Sequence, residues 1–471
     1  MSIVFNANFA KFSSVKYFSS CRMNSSKCCV AICQFTATNN KENNLKIVKD
    51  LVAEAAQKHA KVVFLPEASD YIATNKEEAK AFAEPLSGTL MNEYRNLAKN
   101  KKVWLSVGGF HELVQCEKEC KIFNSHVLID ENGDIRSIYK KIHLFDVSIP
   151  ELNVNLRESD TNEAGSEIVP PTDTPAGPLS LSICYDLRFP ELSILQRKQG
   201  ANILTYPSAF TNATGLLHWE TLLRARAVET QCYVIAAAQY GKHNQKRISF
   251  GQALIVDPQG KIVAECPKYR EGHDTNQSVA VAEIDSDLIK KIRCEMPVFQ
   301  HRRDDLYRLQ TVGNEEIAID DSENFMFAHK VIPGSTVFYR TRHSFAFTNI
   351  RCVVPYHVLI SSIRLCKRLS DLTDEEVADL FQTAVKVQQV VEAVTAACSS
   401  TLCVQDGTHA GQTIPHVHIH ILPRHPNDFD HNDEVYDKLA KHDRDNNPEP
   451  RRSDEEMSKE AKILRKYFYK N

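Results

Sequence analysis

The chain has 471 residues, 42% of them apolar and 25% charged, with the two signs mixed to a net charge of −3. That length accommodates two or three domains with cores of their own, and the composition is that of an ordinary globular protein. No basic tail suggests a nucleic-acid partner, and no apolar run approaches the ~20 residues of a membrane-crossing helix.

Residues 1–41 contain no Asp or Glu. Lys11, Lys16 and Arg22 stand among serines, with Phe5, Phe9 and Phe12 at helical spacing. Such a segment suits a mitochondrial transit peptide and equally a disordered tail, and Met23 offers an alternative start. The expectation is a leader over 1–26 on a cytoplasmic protein, with a fraction imported into mitochondria. The fourteen cysteines form no CxxC pair, and without a signal peptide they read as reduced thiols. Cys116 and Cys120 resemble half a zinc site, but no second pair joins them.

From Ser26 strand-like and helix-like patterns alternate. VAICQFTAT reads as a strand, Asn44–Ala60 as an amphipathic helix, and KVVFLPE (61–67) as a strand. A helix over Met91–Asn100 and the strand KVWLSVGGF follow. Later strands are read in LSLSICY, ANILTYPS, CYVIAAAQY, GQALIVD and SVAVAEID, with helices over Pro190–Gln199 and His218–Gln231. This βα alternation argues for an α/β layered domain over 27–309. Three polar residues interrupt the apolar strands near their ends: Glu67, Lys141 (beside Lys140) and Cys184. Strand ends are where α/β folds carry chemistry, although each residue alone has a dull reading, a buried cysteine often serving as a small hydrophobe.

A polar, acidic stretch over 310–324 reads as an interdomain linker. The domain over 325–471 is strand-rich at first, in FMFAHKVIP, STVFYRT, SFAFTN and YHVLISS. A capping box at Thr373 and Glu376 then opens a helix to about Cys398. After the strand TLCVQDG comes GQTIPHVHIHILPR, and Ser453 and Glu456 cap a last helix. In a strand His416, His418 and His420 share one face, with Val417, Ile419 and Ile421 on the other. Such a row could carry nucleophiles, bases or metal ligands. A zinc site would need a further ligand close by, and the next acid is Asp428, so metal is not favoured.

QDGTHAGQTIPHVHIHILPR (405–424) resembles the fragile-histidine-triad branch of the histidine triad superfamily, whose members hydrolyse diadenosine polyphosphates. The resemblance implies an α+β domain in which His418 attacks the α-phosphorus and forms a covalent AMP–histidine. It gives Asn349 a ribose contact and Gln405, Gln412 and His416 the phosphates. His420 and His357 orient the nucleophile. Diadenosine triphosphate would yield AMP and ADP, with magnesium or manganese arriving on the substrate and no cofactor or metal tightly bound. One position departs from the family, which commonly has Gly where Tyr356 precedes His357.

SICYDLRFPE and TGLLHWETLLRARAVETQCYV, with Glu67 and Lys141, resemble the nitrilase superfamily over about residues 28–309, in the branch of omega-amidase and deaminated-glutathione amidase. The resemblance implies an αββα sandwich and a Glu67–Lys141–Cys184 triad buttressed by Glu158. Glu67 would take the Cys184 proton, since a thiol of pKa about 8.5 needs a base near neutral pH. Lys141 and the backbone N–H of Tyr185 would stabilise the oxyanion. Ammonia would leave, and water would release the acid from a Cys184 thioester. The whole chain thus resembles a fusion of the two families known from invertebrate animals: a bifunctional hydrolase acting on a diadenosine polyphosphate and a small amide. A homotetramer is expected, paired through helix His218–Gln231 with Trp219, Leu222, Leu223, Arg224, Arg226 and Glu229. A rival reading, in which nucleotide occupancy is a signal that turnover ends, stays open.

Overall fold

The computed structural model describes residues 27–469 apart from 116–119, 150, 152–153, 305, 308, 310–316 and 443–450. The expected leader, Cys116 and residues 310–316 of the expected linker lie outside the described residues. The chain divides into two compact units, Met1–Gln310 and Thr311–Asn471.

The first unit is built on two sheets. One has eight strands, with Lys27–Phe35 near its centre between Val62–Leu65 and Ala238–Lys242, all parallel, and Gln277–Asp285 antiparallel alongside. The other has six, centred on Ile203–Thr205 and Tyr233–Ala236. Val30 and Ile32 face the second sheet in a core with Leu179, Ile203 and Val234. The alternate residues Ala31, Cys33 and Phe35 pack under helices Lys41–Gln57 and Thr89–Lys101. A strand covered on both faces has no polar side to show, which is why Cys28–Cys33 within it reads as an unbroken apolar run. Helices Pro190–Lys198 and Asn212–Thr230 cover the far side of the second sheet. The four layers are helix, sheet, sheet, helix: the αββα sandwich.

Two sequence-based expectations change. LSLSICY is a strand only over Gly177–Ser180; Cys184 opens a short 3-10 helix, Cys184–Arg188, and has a left-handed φ of 45°. The helix expected from His218 begins at Asn212, where the Thr211 hydroxyl accepts the N–H of Thr214. Its Trp219 and Leu223 are fully buried in the unit's own core, and the indole N–H donates to Gln252 O at 2.8 Å. Arg226 is buried too, donating to Leu187 O at 3.1 Å and to Glu229 at 2.9 Å. These residues are therefore not an outward-facing interface. The apolar residues that the helix does expose are Leu216, Leu217 and Val228.

The second unit holds a five-stranded antiparallel sheet ordered Val337–Arg340, Ser344–Thr348, Val358–Ser362, His418–Arg424, Ser399–Cys403. Helices Asp374–Thr395 and Asp454–Phe468 pack on one face, through Leu380, Ala384, Val387, Ala461 and Leu464 against Ile360, Ile419 and Ile421. Both helices begin with a complete capping box, Thr373 with Glu376 and Ser453 with Glu456, each satisfying two otherwise unpaired helix N–H groups. With Ile419 and Ile421 turned to the helices, His418 and His420 face the other side. His416 lies just ahead of the strand and not in it.

Two candidate active sites

In the first unit, Glu67 follows the strand Val62–Leu65 and Lys141 follows Ile135–Lys140, so parallel and antiparallel strands deliver them to one end of the sheet. Lys141 is almost fully buried, with its ammonium 3.0 Å from Glu67 and 2.8 Å from Glu158. The Asn124 amide donates to both carboxylates at 2.9 Å, the Ala209 N–H donates to Glu67 at 2.7 Å, and the Phe145 N–H donates to Glu158 at 2.8 Å. Gly109, at φ 65°, runs so close that a Cβ there would stand 2.6 Å from the Glu67 side chain and 2.9 Å from Asn124. The glycine is what lets the strand pass behind the base.

Burial alone would raise the Glu67 carboxyl, but Lys141, Arg247 and a hydrogen bond from Cys184 overcome it and hold the group down at about 2. Burial pushes the Cys184 thiol up; the Glu67 charge adds to that, and Lys141 opposes it. Burial disfavours the Lys141 ammonium, but Glu158 and Glu67 more than restore it. The resting site is thus carboxylate, ammonium and neutral thiol. Asp186, fully buried, braces the turn after Cys184: it accepts from Tyr139 Oη and the Ile183 N–H at 2.8 Å and lies 2.7 Å from His143, whose ring stacks on Phe189 at 3.6 Å. Tyr185 sits in the first turn of that 3-10 helix, where N–H groups lack intrahelical acceptors, and its ring packs edge-on to Phe145 and Phe189. A cavity of about 300 Å³ opens onto Glu67, Lys141, Cys184 and Tyr185.

In the second unit, hydrogen bonds fix which imidazole nitrogen carries the proton. A carbonyl can only accept, so His418 Nδ1, 2.7 Å from His416 O, carries the hydrogen and Nε2 holds the lone pair. The Val353 N–H donates to His357 Nδ1 at 3.2 Å, leaving the proton on His357 Nε2, which donates to His420 Nδ1 at 3.0 Å. His420 therefore carries its proton on Nε2. His416 takes the Ala328 N–H on Nδ1 at 3.1 Å and donates from Nε2 to Arg364 O at 3.2 Å. Of the three histidines in the row, His418 is the one whose outward nitrogen is basic. Burial holds His357 and His420 well below the usual histidine range, with further lowering from neighbouring imidazoles; it lowers His416 as well. The Phe327 ring stands edge-on to His418 at 5.2 Å.

Sequence reasoning missed His442, at the end of helix Glu434–His442. It is buried, and Asn349 Nδ2 lies 3.1 Å from its Nε2. His357, His420 and His442 offer nitrogens within 4.8 Å of one another, the described residues best suited by type to a metal. A metal would have to break the His357–His420 hydrogen bond and displace its proton. Gln412 does not reach outward: it accepts the Gly407 N–H at 2.9 Å and donates to Lys367 O at 2.9 Å, so it shapes the loop over Gln405–His416. Gln405 lies against Gly411, 3.0 Å from where a Cβ would stand. Tyr356 adopts φ 59°, a left-handed conformation natural to the glycine expected there and strained for tyrosine.

Residues 29–293 match the carbon–nitrogen hydrolase family and residues 330–427 the HIT domain family. The fused architecture also recurs as a whole: the chain is 48% identical over 436 residues to the nitrilase and fragile histidine triad fusion protein NitFhit of Caenorhabditis elegans, covering 93% of this chain and 96% of that one. The crystal structure of the C. elegans protein superposes with a TM-score of 0.79 at 45% identity, over 94% of this chain and 99% of that one. The first unit alone is 49% identical over 279 residues to deaminated glutathione amidase of Bos taurus, covering 59% of this chain and 83% of that protein. The chain belongs to the family of nitrilase and histidine triad fusion proteins.

Proposed function

We propose that both units turn over. The second cleaves a diadenosine polyphosphate: Asn349 contacts ribose, Gln405 and His416 lie along the phosphates, and His418 Nε2 attacks the α-phosphorus. Diadenosine triphosphate gives ADP and a covalent AMP–His418, which water opens to AMP, a two-step strategy that divides one difficult displacement. His420, its proton fixed on Nε2, and His357 behind it hold the site in one tautomeric state. The observation that carries this reading is the hydrogen-bonded fixing of tautomers, which leaves the lone pair of the row on His418 Nε2. Magnesium or manganese accompanies the polyphosphate, and no metal is held by the protein alone. Rapid quench with radiolabelled diadenosine triphosphate should trap acid-labile AMP on the peptide containing His418. Label retained in His418→Ala, or mapping to His416 or His420, would overturn the assignment.

In the first unit Glu67 accepts the Cys184 proton, the sulfur adds to an amide carbonyl, and Lys141 with the Tyr185 N–H meets the oxyanion. The amine leaves with that proton, and a water activated by Glu67 hydrolyses the thioester. The relatives' name supports a deaminated-glutathione-like amide. Such a compound is cleaved at a peptide-type bond, so the departing group is a primary amine and not the ammonia expected from a simple carboxamide. Amine release should vanish in Cys184→Ala while nucleotide hydrolysis continues. We place the protein in the cytoplasm, with a fraction in mitochondria, as a homotetramer. The exposed Leu216, Leu217 and Val228 support self-association; light scattering that returned about 53 kDa would refute it.

A further inference from the structure

Helix Glu434–His442 packs Val435 and Leu439 on Val354 and on Leu422, which shares a strand face with His418 and His420. That docking brings the helix's last residue, His442, into the histidine cluster: the ring is buried, with its centroid 5.2 Å from those of His357 and His420. His442 Nδ1 faces Leu439 O at 3.4 Å, and a carbonyl can only accept, so Nδ1 carries the proton and Nε2 the lone pair. Asn349 Nδ2, 3.1 Å away, therefore donates to His442 Nε2. The same Nδ2 lies 3.4 Å from each nitrogen of His357, but both are engaged: Nδ1 takes the Val353 N–H and Nε2 donates to His420. The two ends of an asparagine amide are alike in shape and differ only in donating or accepting. A neighbour that can only accept, as His442 Nε2 does, settles which end is which. Asn349 Oδ1 takes the Arg351 N–H at 3.4 Å and, with two lone pairs, has room for a further donor.

We propose that His442 is a positioning residue of the nucleotide site: by accepting the Asn349 N–H it presents Asn349 Oδ1 as the acceptor to which a ribose hydroxyl donates. The inference rests on the ribose contact given to Asn349 above and adds what makes that contact an acceptor. Without the imidazole the amide is free to turn and offer its N–H groups instead, and the fixed contact with the sugar is lost. His442 and His357 thus share a cluster but not a task. His357 acts on His420 and so on the row that carries out the attack, whereas His442 acts on Asn349 and so on binding. The docking of one helix end then sets how strongly ribose is told from a sugar that lacks its hydroxyls.

The test is steady-state cleavage, by the full-length protein, of diadenosine triphosphate and of its analogue with 2′,3′-dideoxyribose at both ends. The wild type should favour the ribose substrate about 10- to 100-fold in kcat/KM, the range for leaving a buried acceptor unpaired. His442→Met, close in size but without the ring acceptor, should cut that preference about 5- to 10-fold, the worth of one hydrogen bond, through KM and with kcat little changed. His442→Gln, whose carbonyl can take the Asn349 N–H, should keep most of it, and His442→Ala reads the same preference if methionine is not accommodated. A purely structural role for His442 would slow both substrates alike and leave the preference as in the wild type; that result would overturn the proposal, as would a loss confined to kcat. Asn349→Ala separates the inference from the reading beneath it. If Asn349→Ala abolishes the preference and His442→Met does not, the ribose contact stands and the inference alone falls. If Asn349→Ala leaves the preference intact, or the wild type shows none, the ribose reading falls and the inference goes with it.

Discussion

Replacing His357 with alanine tests how far the second site depends on fixed tautomers. His357 touches neither the outward nitrogen of His418 nor open solvent; it donates to His420 Nδ1 at 3.0 Å from a fully buried position. The variant loses the hydrogen bond to His420 and leaves that buried acceptor unsatisfied, together about 1.5–3 kcal/mol, besides giving up the bond from the Val353 N–H. If that cost falls on the transition state, it corresponds to a kcat lower by about 10- to 100-fold, at 1.36 kcal/mol per decade. KM for diadenosine triphosphate should change little, and the AMP-enzyme should still form. A pH effect should accompany the loss. Burial keeps His357 and His420 neutral well below the usual range, so neither should titrate in the wild-type profile between pH 5 and 8. Opening a space beside His420 admits water and moves it back towards its ordinary pKa of about 6.5, so kcat of the variant should fall as pH drops through that region. Stopped-flow and steady-state rates across pH 5–8 give both readouts. A loss as complete as that in His418→Ala would mean that His357 takes part in the chemistry. No loss at all would mean that the hydrogen-bond relay has no role.

Two further outcomes concern strain and charge. Tyr356→Gly should be more stable than Tyr356→Ala by about 1 kcal/mol in urea unfolding, because both lose the ring but only glycine relieves a left-handed φ; equal midpoints would remove strain as the explanation. Lys141→Met should cost about 3–5 kcal/mol at pH 7 by stranding the buried Glu67 carboxylate and the half-buried Glu158 beside it, and it should reverse a pH trend. In the wild type Glu67 is depressed from 4.5 to about 2, so it contributes stability above pH 4.5 that is lost as pH falls through 2. Without Lys141, burial raises the Glu67 carboxyl, whose contribution is then greatest at low pH and lost as pH rises past the unfolded value. Urea midpoints between pH 4.5 and 7.5 should therefore fall in the variant as pH rises.

Residues that break an expected pattern were legible in the sequence. Glu67, Lys141 and Cys184 interrupt apolar runs, and the structure brings all three to one cavity with Glu158. The capping boxes at Thr373 and Ser453 were likewise visible from spacing alone. Asn124 offered the same kind of signal, a polar residue inside KIFNSHVLI, but its meaning depends on two carboxylates that arrive from distant strands. His442 gave no signal, because its place beside Asn349 and His357 is set by where helix Glu434–His442 docks. Period-two alternation put His416 on the strand, yet the strand begins at His418. The helix expected to form an interface turned its tryptophan inward, because amphipathicity specifies that one face is covered and not what covers it.

The charge state of the first site leads to a last expectation. Lys141 is often the group one would credit with producing a thiolate, but here it is shared between two carboxylates, each within 3.0 Å. Its pull on the sulfur is therefore outweighed by burial and by the nearby Glu67 charge, both of which act against ionisation of Cys184. A thiolate beside ionised Glu67 would place three negative groups around one ammonium. The proton must instead move from Cys184 to Glu67 as sulfur bonds to carbon, when negative charge leaves for the carbonyl oxygen and the Tyr185 N–H can meet it. Absorbance near 240 nm, taken as wild type minus Cys184→Ala between pH 6 and 8, should accordingly show no thiolate in the empty enzyme. A difference band already present at pH 6 would mean that the ion pair forms in advance, and general-base attack through Glu67 would be the wrong mechanism.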